Sequence, residues 1–519
     1  MPESVSLTLD GRTSSAPAGI TVAAALANAG VNVCRTSVTG EPRGVLCAMG
    51  ICFECRVTID GAPHRRACME IVREGMLVET GDVRFQVSSV RFQGEAERLE
   101  CDVAVVGAGP AGVAAACRAA EGGARTVVLD EGLSPGGQIY RHLPGASPPE
   151  AARGWLERLG RSGAMTRSRA SVFDVVAQDR GWRLSAETPD GVCVVRARRV
   201  VLATGARELF LPFPGWTLPG VMGAGGAQAL AKTGAVLDGR IAVVAGSGPL
   251  LLPVAASLAK MGADVAIVAE QAAFASLARF GAALTRFPGK LLEAARYRST
   301  FFNTPYRPGT WVAEARGGSR LESVVLTNGA DRFEVPCDIA AVGYGLVPNT
   351  ELPRLLGCAM RAGAVAVDAR QETSVAGVFS AGEPCGIAGV DVAIVEGEMA
   401  GLAAAGRLDT GSAEGRGLAG ARACGRRLAA AMDRAFLPRP ELRAVARPDT
   451  VVCRCEDARL SSLSSCGSAR EAKLSSRAGM GPCQGRVCGP VLSFLFGWDS
   501  DTVRPPAKPA LVGNLVASE

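Results

Sequence analysis

The chain has 519 residues, 48% hydrophobic and 20% charged, which suits a globular protein of three or four domains. Net charge is +6, but only five of the 56 basic residues are lysines and the charge is scattered, so no nucleic-acid footprint is read. The 17 cysteines would suggest disulfides in a secreted protein, yet the start, MPESVSLTLDG, lacks a basic n-region and an apolar run, so a reducing cytoplasm is expected, with thiols used for metal.

Up to about residue 90, apolar and polar positions alternate in short-strand fashion, as in SVSLTLDG and CRVTIDG. Within this stretch Cys47, Cys52 and Cys55 are spaced C-x4-C-x2-C, and Cys68 follows an expected hairpin, VTIDGAPHRRAC. That is the plant-type spacing for a [2Fe–2S] cluster. Three thiols within nine residues are poor disulfide partners. Gly50 lets the loop curl so that N–H groups can face the cluster sulfurs. A polar linker, FQGEAERLE, is expected next.

From residue 101 the chain reads strand, glycine turn, helix, strand. Gly107, Gly109 and Gly112, with Pro110 and Ala111 between them, form G-x-G-x-x-G at the start of an Ala-rich helix. The first glycine makes the turn, the second admits a pyrophosphate, and the third packs helix on strand. The helix N-terminus offers N–H donors to the phosphates. Asp130 is placed for a ribose hydroxyl, with Glu131 as the alternative. Three further segments resemble parts of two-dinucleotide-domain flavoproteins and imply FAD. They are the turn with Gly136, Gly137 and Gln138, the hinge Ala203, Thr204 and Gly205, and the segment with Gly382 and Glu383. Glu383 would hold the ribityl chain, where reductases of this kind usually carry Asp.

A second unit of the same shape starts at Arg240. The uncharged stretch 241–259 could be weighed as a membrane span, but it contains GSGP and a further proline, and reads as strand, tight turn and buried helix. Gly246 and Gly248 are present, but the third glycine is Leu251, which should push the helix off the strand and narrow the pyrophosphate approach. Glu270 could still meet a ribose. Two readings follow: a working nicotinamide site, or the favoured one, a degenerate fold that no longer holds the ligand. No cysteine lies between Cys193 and Cys337, so a dithiol mechanism is excluded there. Cys385 reads as packing.

The tail carries Cys453 and Cys455 as C-x-C, and Cys483 and Cys488 as C-x4-C. Four thiols in two pairs suit zinc or a second [2Fe–2S] cluster. The segment resembles the small helical domains related to bacterioferritin-associated ferredoxin, although the Ser-rich stretch between the pairs is short for that group. Cys466 reads as a bystander, RPPAKPALVG as extended chain, and neither His64 nor His142 as catalytic.

The order of parts, together with PFPGWTLPGVMGAGGAQAL, AGSGPLLLPVAASL, GYGLVPNTEL and RAGMGPCQGRVCGP, resembles the α subunits of multisubunit bacterial amine and amino-acid dehydrogenases: hydrogen cyanide synthase, opine oxidase, hydroxyproline dehydrogenase and sarcosine oxidase. The resemblance implies a multidomain α/β and α+β fold. A β-grasp ferredoxin-like domain would occupy 1–95. Two nested Rossmann-like domains would follow, the FAD domain at 98–239 and 336–410 and the NAD-like domain at 240–335. A helix and linker would fill 411–448, and a small helical cysteine domain with an extended tail 449–519. It implies FAD, an N-terminal [2Fe–2S] cluster, a second C-terminal one, and an FMN at a subunit interface. It also implies an FAD-dependent β partner of the amino-acid-oxidase type, further small subunits, and an acceptor such as quinone. The expected location is cytoplasmic or peripheral at the inner membrane, with no membrane span. The competing readings are a self-contained NAD(P)H-dependent reductase, which Leu251 opposes, and an iron–sulfur sensor, which the FAD fingerprint opposes.

Overall fold

Residues 4–81, 96–499 and 503–518 are described by the computed structural model, so the expected linker lies partly outside the described residues. The chain forms two compact units, each drawn from three stretches of sequence: Met1–Gln86, Glu208–Gly345 and Ala431–Ser500 in one, Val87–Arg207, Leu346–Ala430 and Asp501–Glu519 in the other.

In the first unit the N-terminal alternation becomes a five-stranded sheet, in the order Arg12–Pro17, Ser4–Leu9, Met76–Glu79, Arg56–Ile59, Ala62–Arg66. Ser4–Leu9 runs parallel to Met76–Glu79, and the other pairs are antiparallel. The period of two sends Leu7 and Leu9 inward. The helix Val22–Asn28, capped by the Thr21 hydroxyl, buries Val22 to Leu26 and packs against Ala67–Met69. The second glycine-turn unit contributes a five-stranded parallel sheet, in the order Val221–Met222, Ile339–Gly343, Ile241–Gly246, Asp264–Glu270, Tyr306–Pro308. Its strands read as continuous apolar runs because both faces are covered. The stretch 241–259 forms strand Ile241–Gly246 and most of helix Leu251–Lys260, as its turn residues indicate.

The other unit holds a seven-stranded sheet whose central strand, Glu97–Val106, lies between Thr126–Leu129 and Gly191–Leu202. Along its other edge Gly191–Leu202 is long enough to serve two further neighbours: its start pairs antiparallel with Gly181–Thr188, and its end pairs parallel with Val378–Ser380. The helices Pro110–Glu121 and Val390–Ala404 pack on one another at close range. A Cβ on Gly397 would meet the Ala111 carbonyl at 2.1 Å, and one on Gly401 the Ala115 carbonyl at 2.2 Å.

This partition differs from the expected boundaries in two places. Residues 208–239 and the strand Ile339–Gly343 belong with the second nucleotide fold, because Val221–Met222 and Ile241–Gly246 both pair with Ile339–Gly343. Residues 503–518 are not only extended tail: they end in the helix Val512–Ala517 and pack on the flavin-type sheet, where Ala507 N–H donates to the Phe173 carbonyl at 2.7 Å. Among the described residues no helix is long and apolar enough to cross a membrane.

Candidate functional site

The first glycine turn is built by close backbone approach. Gly107 sits at φ +101°, and a Cβ there would lie 2.3 Å from the Ala203 carbonyl oxygen. A Cβ on Gly112 would lie 1.8 Å from the Gly107 carbonyl oxygen, so only glycine lets the helix Pro110–Glu121 begin directly after Gly109. Gly136 N–H donates to the Ala108 carbonyl at 2.7 Å, and Gly137 lies against Gly109, where a Cβ would come within 2.9 Å of the Gly109 Cα. Gly382, at φ +77°, closes the other side: its Cβ would meet that of Ala111 at 2.8 Å. Four segments far apart in sequence therefore meet around one helix start. The first-turn N–H groups of Ala111 and Gly112 have no intrahelical partner, and a Cβ on Gly109 would reach only the Gly137 Cα, at 3.9 Å. Such a cradle, open where a side chain would stand and lined by backbone donors, fits a dinucleotide pyrophosphate.

The acidic residues are placed differently from a simple ligand role. Asp130 is buried, and its carboxylate accepts Ala108 N–H at 2.8 Å and Gly132 N–H at 3.0 Å. It thus braces the turn, while its remaining lone pairs keep acceptor capacity for a hydroxyl. Burial raises its pKa. Glu131 pairs with Lys508 instead. Glu383 accepts Ala388 N–H at 2.9 Å and Gly389 N–H at 3.0 Å just ahead of helix Val390–Ala404, and burial raises its pKa too. Thr204 and Asn349 exchange two bonds, Oγ1 to carbonyl at 2.7 Å and Nδ2 to carbonyl at 2.8 Å, which hold the hinge that continues into Gly205. Gln138 bonds Arg141 at 2.7 Å. Sequence reasoning missed Glu396, fully buried mid-helix, which accepts Gly382 N–H at 3.1 Å and pairs with Arg426 at 2.7 Å and Arg422 at 3.1 Å. An acid following the apolar stretch VAIV in DVAIVEGEMAGL was its signal in the sequence.

The second turn repeats the scheme up to the helix. Gly246 is forced by the Gly343 carbonyl, 1.7 Å from an ideal Cβ. Glu270 accepts Gly248 N–H at 2.9 Å and Ala272 N–H at 2.8 Å, as Asp130 does in the first turn, and burial pushes its pKa up to about 7. The helix differs. Leu251 is buried, and the chain reaches it through i→i−3 bonds, Leu251 N–H to Gly248 at 3.1 Å and Leu252 N–H to Pro249 at 3.3 Å, before regular helix begins. The mouth of this turn is also covered. Ser247 Oγ donates to the Phe436 carbonyl at 2.7 Å. Gln271 Nε2 donates to the Leu437 carbonyl at 3.2 Å, and its Oε1 accepts Arg439 N–H at 3.1 Å. The Phe436 ring meets Phe280 edge-on at 5.1 Å, and Arg439 lies over Trp311 at 4.5 Å.

Both cysteine sets come together. Cys47, Cys52, Cys55 and Cys68 are all buried. Within the set, Cys47 pairs with Cys52 and Cys55 with Cys68. The bond from Cys52, helped by backbone N–H groups, pulls Cys47 down to about 6. Met49 and Cys52 N–H each lie 3.4 Å from the Cys47 sulfur, the arrangement expected of the curl at Gly50 (φ +80°). The loop rests on the start of helix Ala224–Lys232, where Gly223 N–H donates to the Leu46 carbonyl at 2.9 Å. In the tail, Cys453 pairs with Cys488 and Cys455 with Cys483, and the bond from Cys488 pulls Cys453 down to about 6. Among the described residues no three Cys, His, Asp or Glu side chains close on a single ion; the thiols come two by two. Two thiolates on each of two irons is the demand of a [2Fe–2S] cluster, so each donor set fits that group. Cys466 stays outside, bonded to Ser475 at 3.4 Å. The short Ser-rich stretch folds as helices Leu460–Leu463 and Ala469–Ser476.

A pyridine nucleotide-disulphide oxidoreductase model matches residues 101–411, and a 2Fe-2S iron-sulfur cluster binding domain model matches residues 2–82. An opine oxidase subunit of Rhizobium meliloti is 33% identical over 458 residues, covering 80% of this chain and 98% of its own length. The HcnB subunit of hydrogen cyanide synthase from Pseudomonas aeruginosa is 31% identical over 437 residues, covering 77% of this chain and 92% of its own length. L-proline dehydrogenase from P. horikoshii shares the fold, with a TM-score of 0.72 at 20% identity over 99% of this chain and 98% of that one. The chain belongs to the pyridine nucleotide-disulphide oxidoreductase family, as a flavin and iron–sulfur oxidoreductase subunit related to those of opine oxidase and hydrogen cyanide synthase, with a 2Fe-2S domain at its N-terminus.

Proposed function

We propose that this chain is the electron-transfer subunit of a heteromeric dehydrogenase acting on amines or amino acids. A partner flavoprotein of the amino-acid-oxidase type would oxidise the C–N bond, and this chain would carry the electrons toward an acceptor such as quinone. Gly107, Gly109, Ala111 and Gly112 would hold the FAD pyrophosphate. Asp130 would accept a ribose hydroxyl while bracing the turn, and the segment at Gly382 and Glu383 would face the flavin. Cys47, Cys52, Cys55 and Cys68 would ligate one cluster, and Cys453, Cys455, Cys483 and Cys488 a second. The flavin supplies two-electron chemistry and the clusters one-electron chemistry.

The observation that carries this reading is the second nucleotide turn. Its glycine loop is bonded through Ser247 to the chain's own Phe436, and Gln271, next to the acid that would meet a ribose, is bonded to Leu437 and Arg439. A nicotinamide dinucleotide would have to displace that segment and meet Leu251 at the helix start. Electrons arriving from a partner need neither change. The names of the relatives, each one part of a larger enzyme, support the same reading.

The test is an anaerobic titration of the flavin- and iron-loaded chain with NADH and with NADPH, following visible bleaching. No bleaching with either, while dithionite reduces every centre, is the expected result. Rapid bleaching would replace this reading with that of a self-contained reductase.

A further inference from the structure

The two cysteine quartets lie in one compact unit, and each has a charged residue set between two of its cysteines. Glu54 stands between Cys52 and Cys55, and Arg454 between Cys453 and Cys455. These two side chains pair with each other: Arg454 Nη2 and Nε lie 3.0 and 3.1 Å from Glu54 Oε2. Arg35 completes the junction, with Nη2 at 2.7 Å from Glu54 Oε1 and 3.2 Å from the Arg454 carbonyl. Side-chain exposure is 1% for Glu54, 2% for Arg454 and 3% for Arg35. Around it, Arg454 donates to the Trp216 carbonyl at 2.7 Å and lies over the Trp216 ring at 4.8 Å, while Arg43 pairs with Asp457 at 2.6 Å.

Burying such charges is costly, and an ion pair of this kind is poor as a plain stabilising device, since apolar residues of similar volume often do as well. A buried charge between two redox sites does something apolar residues cannot. In a medium of low effective dielectric its field reaches both sites with little screening.

We propose that Glu54 and Arg454 are positioning residues that join the two quartets into one electrically coupled relay, so that an electron passes between the two clusters inside this chain. The proposal rests on the reading that both quartets hold [2Fe–2S] clusters. In that transfer one cluster loses a single electron and the other gains it; no bond forms or breaks and no proton moves. Reduction adds negative charge to a cluster, so a nearby negative charge opposes it and a nearby positive charge favours it. Because Glu54 and Arg454 each touch the junction of both sites, a charge change at either should move both reduction potentials together.

The experiment is a dithionite-poised redox titration of the full, flavin- and iron-loaded chain, read by electron paramagnetic resonance. In the unaltered protein, the signal of one cluster should broaden or split once the second is also reduced. In Glu54→Gln both potentials should rise, in Arg454→Gln both should fall, and in Arg454→Lys, which keeps the charge, both should return close to their original values. A structural role alone would not give opposite, paired shifts. Two signals that remain independent at every potential in the unaltered protein overturn the proposal without any variant. So does a shift confined to one cluster, or an iron content of about two per chain, which leaves the tail without a cluster. NAD(P)H takes no part, so bleaching by NADH would overturn the proposed function and leave the coupling intact.

Discussion

At the scale of single residues, the same carboxylate device appears twice. Asp130 and Glu270 each accept two backbone N–H groups, one from the glycine turn and one from two residues on, and burial raises the pKa of both. For Glu270 the consequence is measurable. Its folded pKa is about 7 against an ordinary 4.5, so the folded state holds the proton more tightly than the unfolded chain. That contribution is fully present below pH 4.5 and is lost as pH rises through 7, on the order of 3 kcal/mol in all. Melting temperatures recorded across that window should fall for the unaltered protein and stay flatter for Glu270→Gln. An equal slope in both would assign the pH dependence to other groups. The turn glycines and the cysteine spacings were legible in the sequence at this scale, because they are short-range features of the chain. The bracing role of Asp130 was not, because its partners are backbone groups that only the folded turn brings to it.

At the scale of elements, one residue separates the two nucleotide folds. Gly112 lets its helix start against the Gly107 carbonyl, and Leu251 at the matching position makes the second helix begin three residues past Gly248. Placing a leucine at the matching position of the first turn should weaken that cradle. Gly112→Leu has no room at 1.8 Å from the Gly107 oxygen, and overpacking of this kind costs about 1–3 kcal/mol. Flavin retention, measured as the flavin-to-protein ratio after gel filtration, is expected to fall about tenfold or more. Absorbance of the N-terminal cluster should persist and serve as the folding control. Unchanged flavin content would show that the helix can shift without loss of the cradle. The altered second motif was readable from the sequence, but the segment Phe436 to Arg439 covering it was not, since nothing in its composition marks it as a partner of a turn some 190 residues earlier.

At the scale of the whole molecule, each compact unit is assembled from distant stretches of the chain. Residues 503–518 return to the flavin-type sheet, where Leu511 N–H donates to Glu187 at 2.7 Å, Arg183 to the Ser518 carbonyl at 3.1 Å, and Lys508 pairs with Glu131. Deleting residues 503–519 should destabilise that unit on the order of 3 kcal/mol, from about three lost hydrogen bonds. The expected readout is a lower flavin-release temperature with the N-terminal cluster spectrum unchanged. A loss of cluster absorbance with flavin retained would contradict this assignment of the tail. The sequence by itself determined the parts: the cysteine spacings, the two glycine turns, Leu251 in place of a third glycine, and the family. These are short-range features, set by backbone sterics and ligand chemistry within a few residues. Only the tertiary structure decided that Glu54 meets Arg454, that Phe436 lies on the second turn, and that the tail serves the flavin unit. Those contacts join residues hundreds of positions apart, and no local periodicity or propensity encodes which distant surface a charge or a carbonyl will meet.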